Sequence, residues 1–327
     1  QSPGNGGGSA IHRAILRAYG SLVKVRASRP GPPVASVAAA ARPPPHRERA
    51  MVKRILVGLG TSRTAGSVAE HAIEIARRSG AHLSGLAVTD PVRLDWTGPK
   101  PMGVGVEEVA AELRRQRHAR VAAEITAARE QFATRCVAAG VSHEIDQEVS
   151  DPFEIAVDLV RYHDMCVFGL RGLFEHGVVP EPRDALERLV ADGVRPILAV
   201  PDTHRPIRRV LIAYSGSLES AKTFKHFVQS GIYPEAAIRV VCWNDDAAAA
   251  RRRVEKAADF VRAHGREVDS DTVTGDPLRD LVPYALEWRA DLIVAGNSAK
   301  NLILRRLFGE TVLHLIRESP LPLYLAQ

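Results

Sequence analysis

The chain has 327 residues, 45% hydrophobic and 25% charged. This is the balance of a globular protein long enough for about two domains, and no apolar run reaches the ~18–20 residues that cross a bilayer, so no membrane partner is expected. The net charge of +6 is concentrated in residues 1–50, which carry eight Lys and Arg against Glu48 alone, while the remainder nets −1; so balanced a body offers no field to gather nucleic acid.

Residues 1–50 are low in complexity, with Gly6-Gly7-Gly8, Pro32-Pro33 and Pro43-Pro44-Pro45. Such a segment buries too little apolar surface to offset its chain entropy, so a disordered basic arm is expected. Met51 stands directly before the first strand-like run and reads as a start, with the arm as dispensable upstream sequence.

From Met51 onward short apolar runs alternate with longer amphipathic stretches, the pattern of βαβ units around a parallel sheet. In the first half the strands fall at 54–59, 82–88, 143–149, 165–168 and 196–200. Helices fall at 67–79, 106–139, 151–163 and 183–191, and a loop at 91–105. In the second half the strands fall at 209–214, 237–243, 268–273, 292–295 and 323–326. Helices fall at 217–229, 247–264, 277–288 and 306–318. The long helix at 106–139 is laced with charge, and Glu112 with Arg115 and Arg120 with Glu124 have the spacing of surface ion pairs.

The second half repeats the first. Val149-Ser150-Asp151-Pro152 matches Thr274-Gly275-Asp276-Pro277. Asp164-Met165-Cys166-Val167-Phe168-Gly169 matches Asp291-Leu292-Ile293-Val294-Ala295-Gly296. Arg195-Pro196-Ile197-Leu198-Ala199-Val200 matches Leu321-Pro322-Leu323-Tyr324-Leu325-Ala326. The offsets are 125, 127 and 126 residues. Each Asp-Pro pair suits a helix start, Asp as N-cap and Pro in the first turn. The expected fold is therefore α/β, two tandem doubly wound parallel-sheet domains over residues 51–201 and 205–327. Each is expected to own a separate sheet, the two packed side by side as an intramolecular pseudo-dimer, with a homodimer compatible with the same self-complementary surface. One continuous sheet, or an antiparallel order after Pro201, would bring this whole reading down.

In an open parallel sheet, ligands sit at the carboxyl ends of the strands where strand order reverses. Two turns qualify in each half. After strand four the second half reads Gly296-Asn297-Ser298-Ala299, nine residues, then Gly309-Glu310-Thr311; the first half reads Gly169-Leu170-Arg171-Gly172, nine residues, then Pro182-Arg183. Glycines let backbone amides approach an anion, and a helix N-terminus adds a favourable dipole. After strand one the runs are Leu59-Gly60-Thr61-Ser62 and Tyr214-Ser215-Gly216-Ser217. Arg305 and Arg306 bring positive charge toward the second-half turn.

These turns resemble those of the universal stress protein family, in which strand four is followed by Gly, two residues, Gly, nine residues, Gly, then Ser or Thr. The resemblance covers residues 53–327 as two tandem copies. It implies a Rossmann-like sheet of the adenine nucleotide alpha hydrolase type, a cytoplasmic regulatory or protective role without catalysis, and an adenine nucleotide, ATP or AMP, held by the glycine turn. Mg²⁺ enters only with the phosphates. The site residues it implies in the second half are Ser215, Gly216, Ser217, Val241 at the adenine, Gly296, Asn297, Ser298, Gly309, Glu310 and Thr311. The chain departs from the family at Ala299, at Glu310, and at Gly60 and Ser215, where ATP-binding members carry Asp.

Ser215-Gly216-Ser217-Leu218-Glu219-Ser220 also approximates the S-G-G-x-D-S loop of PP-loop ATP pyrophosphatases, which points instead to an adenylating enzyme. A module whose nucleotide sites have decayed is the third alternative. Cys136, Cys166 and Cys242 form no CxxC pair, so neither disulfides nor structural zinc is expected and a reducing cytosol is the natural home. The twelve histidines form no HExxH, so no metal site is expected.

Overall fold

The computed structural model describes residues 52–60, 63–89, 106–149, 152–170, 196–296 and 310–326. The expected arm, the 91–105 loop, the 183–191 helix and both glycine turns beyond strand four lie outside these residues.

The first half runs β1 (Arg54–Gly58), α1 (Ala65–Ser79), β2 (His82–Thr89), α2 (Val106–Ala138), β3 (His143–Val149), α3 (Pro152–Val160), β4 (Met165–Gly169) and β5 (Ile197–Val200). The second runs β6 (Arg209–Ala213), α4 (Leu218–Ser230), β7 (Ala237–Trp243), α5 (Ala247–Ala263), β8 (Val268–Val273), α6 (Pro277–Glu287), β9 (Leu292–Gly296), α7 (Glu310–Glu318) and β10 (Leu323–Ala326).

Strand order is β3-β2-β1-β4-β5-β10-β9-β6-β7-β8. Within each half every neighbouring pair is parallel, so both halves repeat one doubly wound order. The expected pair of separate sheets is corrected. β5 and β10 join antiparallel, Leu323 opposite Ala199, Tyr324 opposite Leu198 and Leu325 opposite Ile197, and fuse the halves into one ten-stranded sheet. Each half alone would end in an apolar edge strand with unpaired backbone groups, a template for further pairing. Pairing the two equivalent edges satisfies both, and a two-fold relation between copies makes that pairing antiparallel.

The central strands are apolar throughout because both sheet faces are covered. β4 and β5 are buried at every residue. One face packs on α1, α2, α4 and α5 through Val68, Ile75, Ile125, Phe132, Phe224, Phe227 and Val254. The other packs on α3, α6 and α7 through Ala156, Leu281, Ala285, Leu315 and Ile316.

Two local expectations match. Asp276 caps α6, its Oδ1 accepting from the Leu278 N–H at 2.9 Å, with Pro277 in the first turn. On α2, Arg115 meets Glu112 at 2.9 Å and Arg120 meets Glu124 at 3.6 Å.

Candidate functional site

In the second half, strand order reverses between β6 and β9, which lie side by side with Ala213 opposite Ala295. β6 leaves the sheet through Tyr214, whose N–H donates to the Val241 carbonyl at 2.8 Å. The chain then turns at Gly216, with φ +81°, a conformation that favours glycine. Ser217 is extended and caps α4, its Oγ accepting from the Ser220 N–H at 3.1 Å. Three hydroxyls gather here: Ser215 Oγ lies 3.1 Å from both Ser217 Oγ and Ser220 Oγ, and those two are 3.2 Å apart.

The last residue of β9 completes the crevice. A Cβ on Gly296 would stand 2.5 Å from Ser220 Cα and 2.7 Å from its nitrogen. Glycine at this position therefore allows the first turn of α4 to sit directly on the strand end. From the other side comes Arg253 of α5, whose Cδ and Nε would each stand 2.8 Å from a Cβ on Gly216. Its guanidinium also reaches the buried Cys242: burial pushes that thiol up, and hydrogen bonding to Arg253 pulls it back. Burial likewise raises the Tyr214 phenol, against the pull of Arg253. A helix N-terminus, a left-handed glycine turn and an arginine thus meet at one strand exit. Such a set fits an anion. Glu219, the acid in the first turn of α4, opposes it.

Of the sequence-implied residues, the fold brings together Ser215, Gly216, Ser217 and Gly296. Val241 is wholly buried in the core beside Leu211, Ile293 and Ala295. Two residues nearer the end of the same strand, Trp243 is half-buried and packs edge-on against Tyr284, ring centroids 5.5 Å apart. Glu310 opens α7 and Thr311, half-buried, follows it. Asn297, Ser298 and Gly309, with Arg305 and Arg306, lie outside the described residues. Arg253 was not legible as a site residue. Its one signal is the run Arg251-Arg252-Arg253, and only the fold shows which of the three faces the turn.

The first half has the same exit in reduced form. The Leu59 N–H donates to the Leu86 carbonyl at 2.8 Å, the counterpart of Tyr214 on Val241. Beyond it a cavity of about 430 Å³ opens between α1 and α2, lined by Gly60, Ala65, Gly66, Phe132 and Arg135 among others. Arg135 Nη1 donates to the Gly66 carbonyl at 3.3 Å. The serines and glycines that suit an anion are in the second half. The first-half cavity walls are largely alanine, glycine and phenylalanine, with Glu124, Gln131 and Arg135 beside them.

The universal stress protein family model matches residues 51–191 and 243–327. The stretch between the two matched segments holds the Ser215–Ser217 turn. A universal stress protein of the cyanobacterium Synechocystis sp., Slr1230, is 22% identical over 168 residues, covering 50% of this chain and 58% of that protein. The chain is therefore aligned to little more than half the length of this relative. The crystal structure of a universal stress protein from Archaeoglobus fulgidus superposes with a TM-score of 0.57 at 16% identity, covering 84% of this chain and 96% of that one. A universal stress protein structure from Pseudomonas aeruginosa gives a TM-score of 0.54 at 16% identity, covering 85% and 94%. At these identities the likeness establishes the fold.

Proposed function

The chain belongs to the universal stress protein family, and on that premise we propose that it is a regulatory or protective binding protein of the stress response whose second half takes an adenine nucleotide, ATP or AMP, without turning it over. The meeting of the α4 N-terminus, the Gly216 turn and Arg253 at one strand exit carries this proposal. Backbone N–H groups and a guanidinium are what phosphate oxygens require. Mg²⁺ would enter only with the phosphates.

Turnover through a serine nucleophile would need a base to activate it. Among the described residues, no imidazole or carboxylate is hydrogen-bonded to the hydroxyls of Ser215, Ser217 or Ser220, which pair with one another and with backbone. A cytoplasmic location belongs to the same proposal, in keeping with three buried free thiols. None of the described helices is long and apolar enough to cross a membrane.

A second reading, an interaction module that has lost its ligand, is favoured by the carboxylate of Glu219 beside the helix start. Calorimetry with ATP, ADP and AMP separates the two. Saturable binding weakened by Arg253→Ala supports the nucleotide site; no heat at millimolar nucleotide supports the lost site. Phosphate release abolished by Ser215→Ala would overturn the non-catalytic assignment.

A further inference from the structure

His204, in the segment that joins β5 to β6, sits against α1 of the first half. Its Nδ1 lies 3.3 Å from Glu70 Oε2 and its Nε2 lies 3.4 Å from Glu74 Oε2. Its ring is 4.4 Å, centroid to centroid, from that of His71, tilted by 58°. His71 is 0% exposed, and neither of its ring nitrogens has a hydrogen-bond partner among the described residues. One turn earlier on the same helix, Ser67 Oγ is also buried without a partner.

A buried imidazole with two unsatisfied nitrogens is costly, and an aliphatic side chain would fill the same place among Val68, Ala72 and Ile75 without that cost. A nitrogen lone pair held in that position serves a ligand, and its neighbours are a second imidazole and a carboxylate. One ligand atom from each of His71, Glu74 and His204 lies within 4.8 Å of the other two.

We propose that His71, Glu74 and His204 bind one zinc ion, which fastens the segment joining the two halves to α1. Two imidazoles and a carboxylate form an established donor set for zinc, with a fourth position left for water. Bonds of about 2.0–2.1 Å place tetrahedral donors ~3.4 Å apart, so the set closes by small rotations of Glu74 and His204. Supporting contacts are in place. Glu70 on Nδ1 of His204 orients that ring and leaves Nε2 for the metal, the usual carboxylate–histidine arrangement around a site. Arg78 holds the other oxygen of Glu74, Nη2 to Oε1 at 3.2 Å, so Oε2 faces inward. The spacing of two residues on one helix and a third 130 positions beyond Glu74 matches no local metal motif.

The test uses the untagged full chain, stripped with chelator, re-equilibrated with zinc sulfate and desalted. One zinc per chain by mass spectrometry of the metal is expected. Zinc at a hundredfold over its dissociation constant should raise the unfolding temperature by roughly 5 °C. Cobalt(II) in its place should give the intense visible absorption of a four-coordinate site. His204→Ala and Glu74→Gln should each lose the metal, while His118→Ala on α2 keeps it. His71→Leu, suited to its apolar neighbours, should unfold no earlier than the parent without metal and bind none. The proposal is overturned if the stripped chain takes up no zinc, leaving an ion-pair cluster around His204. Full stoichiometry retained in both His204→Ala and His71→Leu would overturn it as well.

Discussion

Asp164 and Asp291 hold the same place in the two halves and make the same pair of bonds. Asp164 Oδ2 accepts from the backbone N–H groups of Lys53 and Arg54 at 2.6 and 2.9 Å, at the start of β1. Asp291 Oδ2 accepts from those of Arg208 and Arg209, both at 2.9 Å, at the start of β6. Each carboxylate thus registers the fourth strand of its half against the first.

Hydrogen bonds to a charged partner contribute ~1.5–3 kcal/mol. Asp291→Ala, half-buried, should therefore lower stability by about 2 kcal/mol in urea unfolding, and Asp164→Ala, exposed, by less. Equal and negligible losses would show that the repeat is retained in sequence without mechanical consequence.

Gly216→Ala should cost about 1–2 kcal/mol for the left-handed backbone, plus a steric contribution from Arg253 at 2.8 Å. Combining it with Arg253→Ala should restore the steric part and leave the backbone part. Strict additivity in this double-mutant cycle would mean that the arginine does not touch the turn.

Gly296→Ala forces a Cβ against the Ser220 backbone, which cannot yield as a flexible side chain would. A loss of about 2–3 kcal/mol is expected. If the proposed nucleotide site is right, affinity falls as well, because the start of α4 is displaced.

Nucleotide binding itself should depend on the shape of the cation as well as its charge. Arg253→Ala should weaken ATP at least tenfold, about 1.4 kcal/mol, and Arg253→Lys should recover only part of it, since lysine lacks the planar fork. Calorimetry at two salt concentrations checks this; identical affinities in all three proteins would remove Arg253 from the site.

His226 gives a pH prediction. Its Nδ1 lies 2.6 Å from the hydroxyl of Tyr324, which is fully buried at the seam strand β10. Burial holds His226 below the ordinary histidine range, opposed by the negative charge of Asp164. The folded state therefore binds this proton less readily than the unfolded chain. Its contribution is complete above an unfolded value near 6.5 and is lost as pH falls below it, at no more than ~1.4 kcal/mol per pH unit. Thermal unfolding between pH 8 and pH 5 should fall less steeply for His226→Gln than for the parent; parallel curves would disprove the assignment.

Much of the fold was legible because the signals were local. Hydrophobic runs and amphipathic stretches alternate in chain order, the two halves keep one register, and Asp276-Pro277 marks a helix start wherever the helix goes. The candidate site was legible only in part. Ser215, Gly216, Ser217 and Gly296 carry a turn grammar that can be read along the chain. Val241 could be placed on its strand but not at its depth, since whether a strand residue lines a crevice or the core depends on what packs above it.

The sequence by itself determined the βαβ order, the likeness of the two halves and the strand exits, because propensity, periodicity and turn chemistry act over a few residues. The tertiary structure alone decided the rest. It joined Ile197–Val200 to Leu323–Ala326 across the seam, laid Arg253 over Gly216, and brought His204 to His71. Each of these is a contact between segments distant along the chain, selected by which edges, faces and charges remain unsatisfied once the local elements have formed.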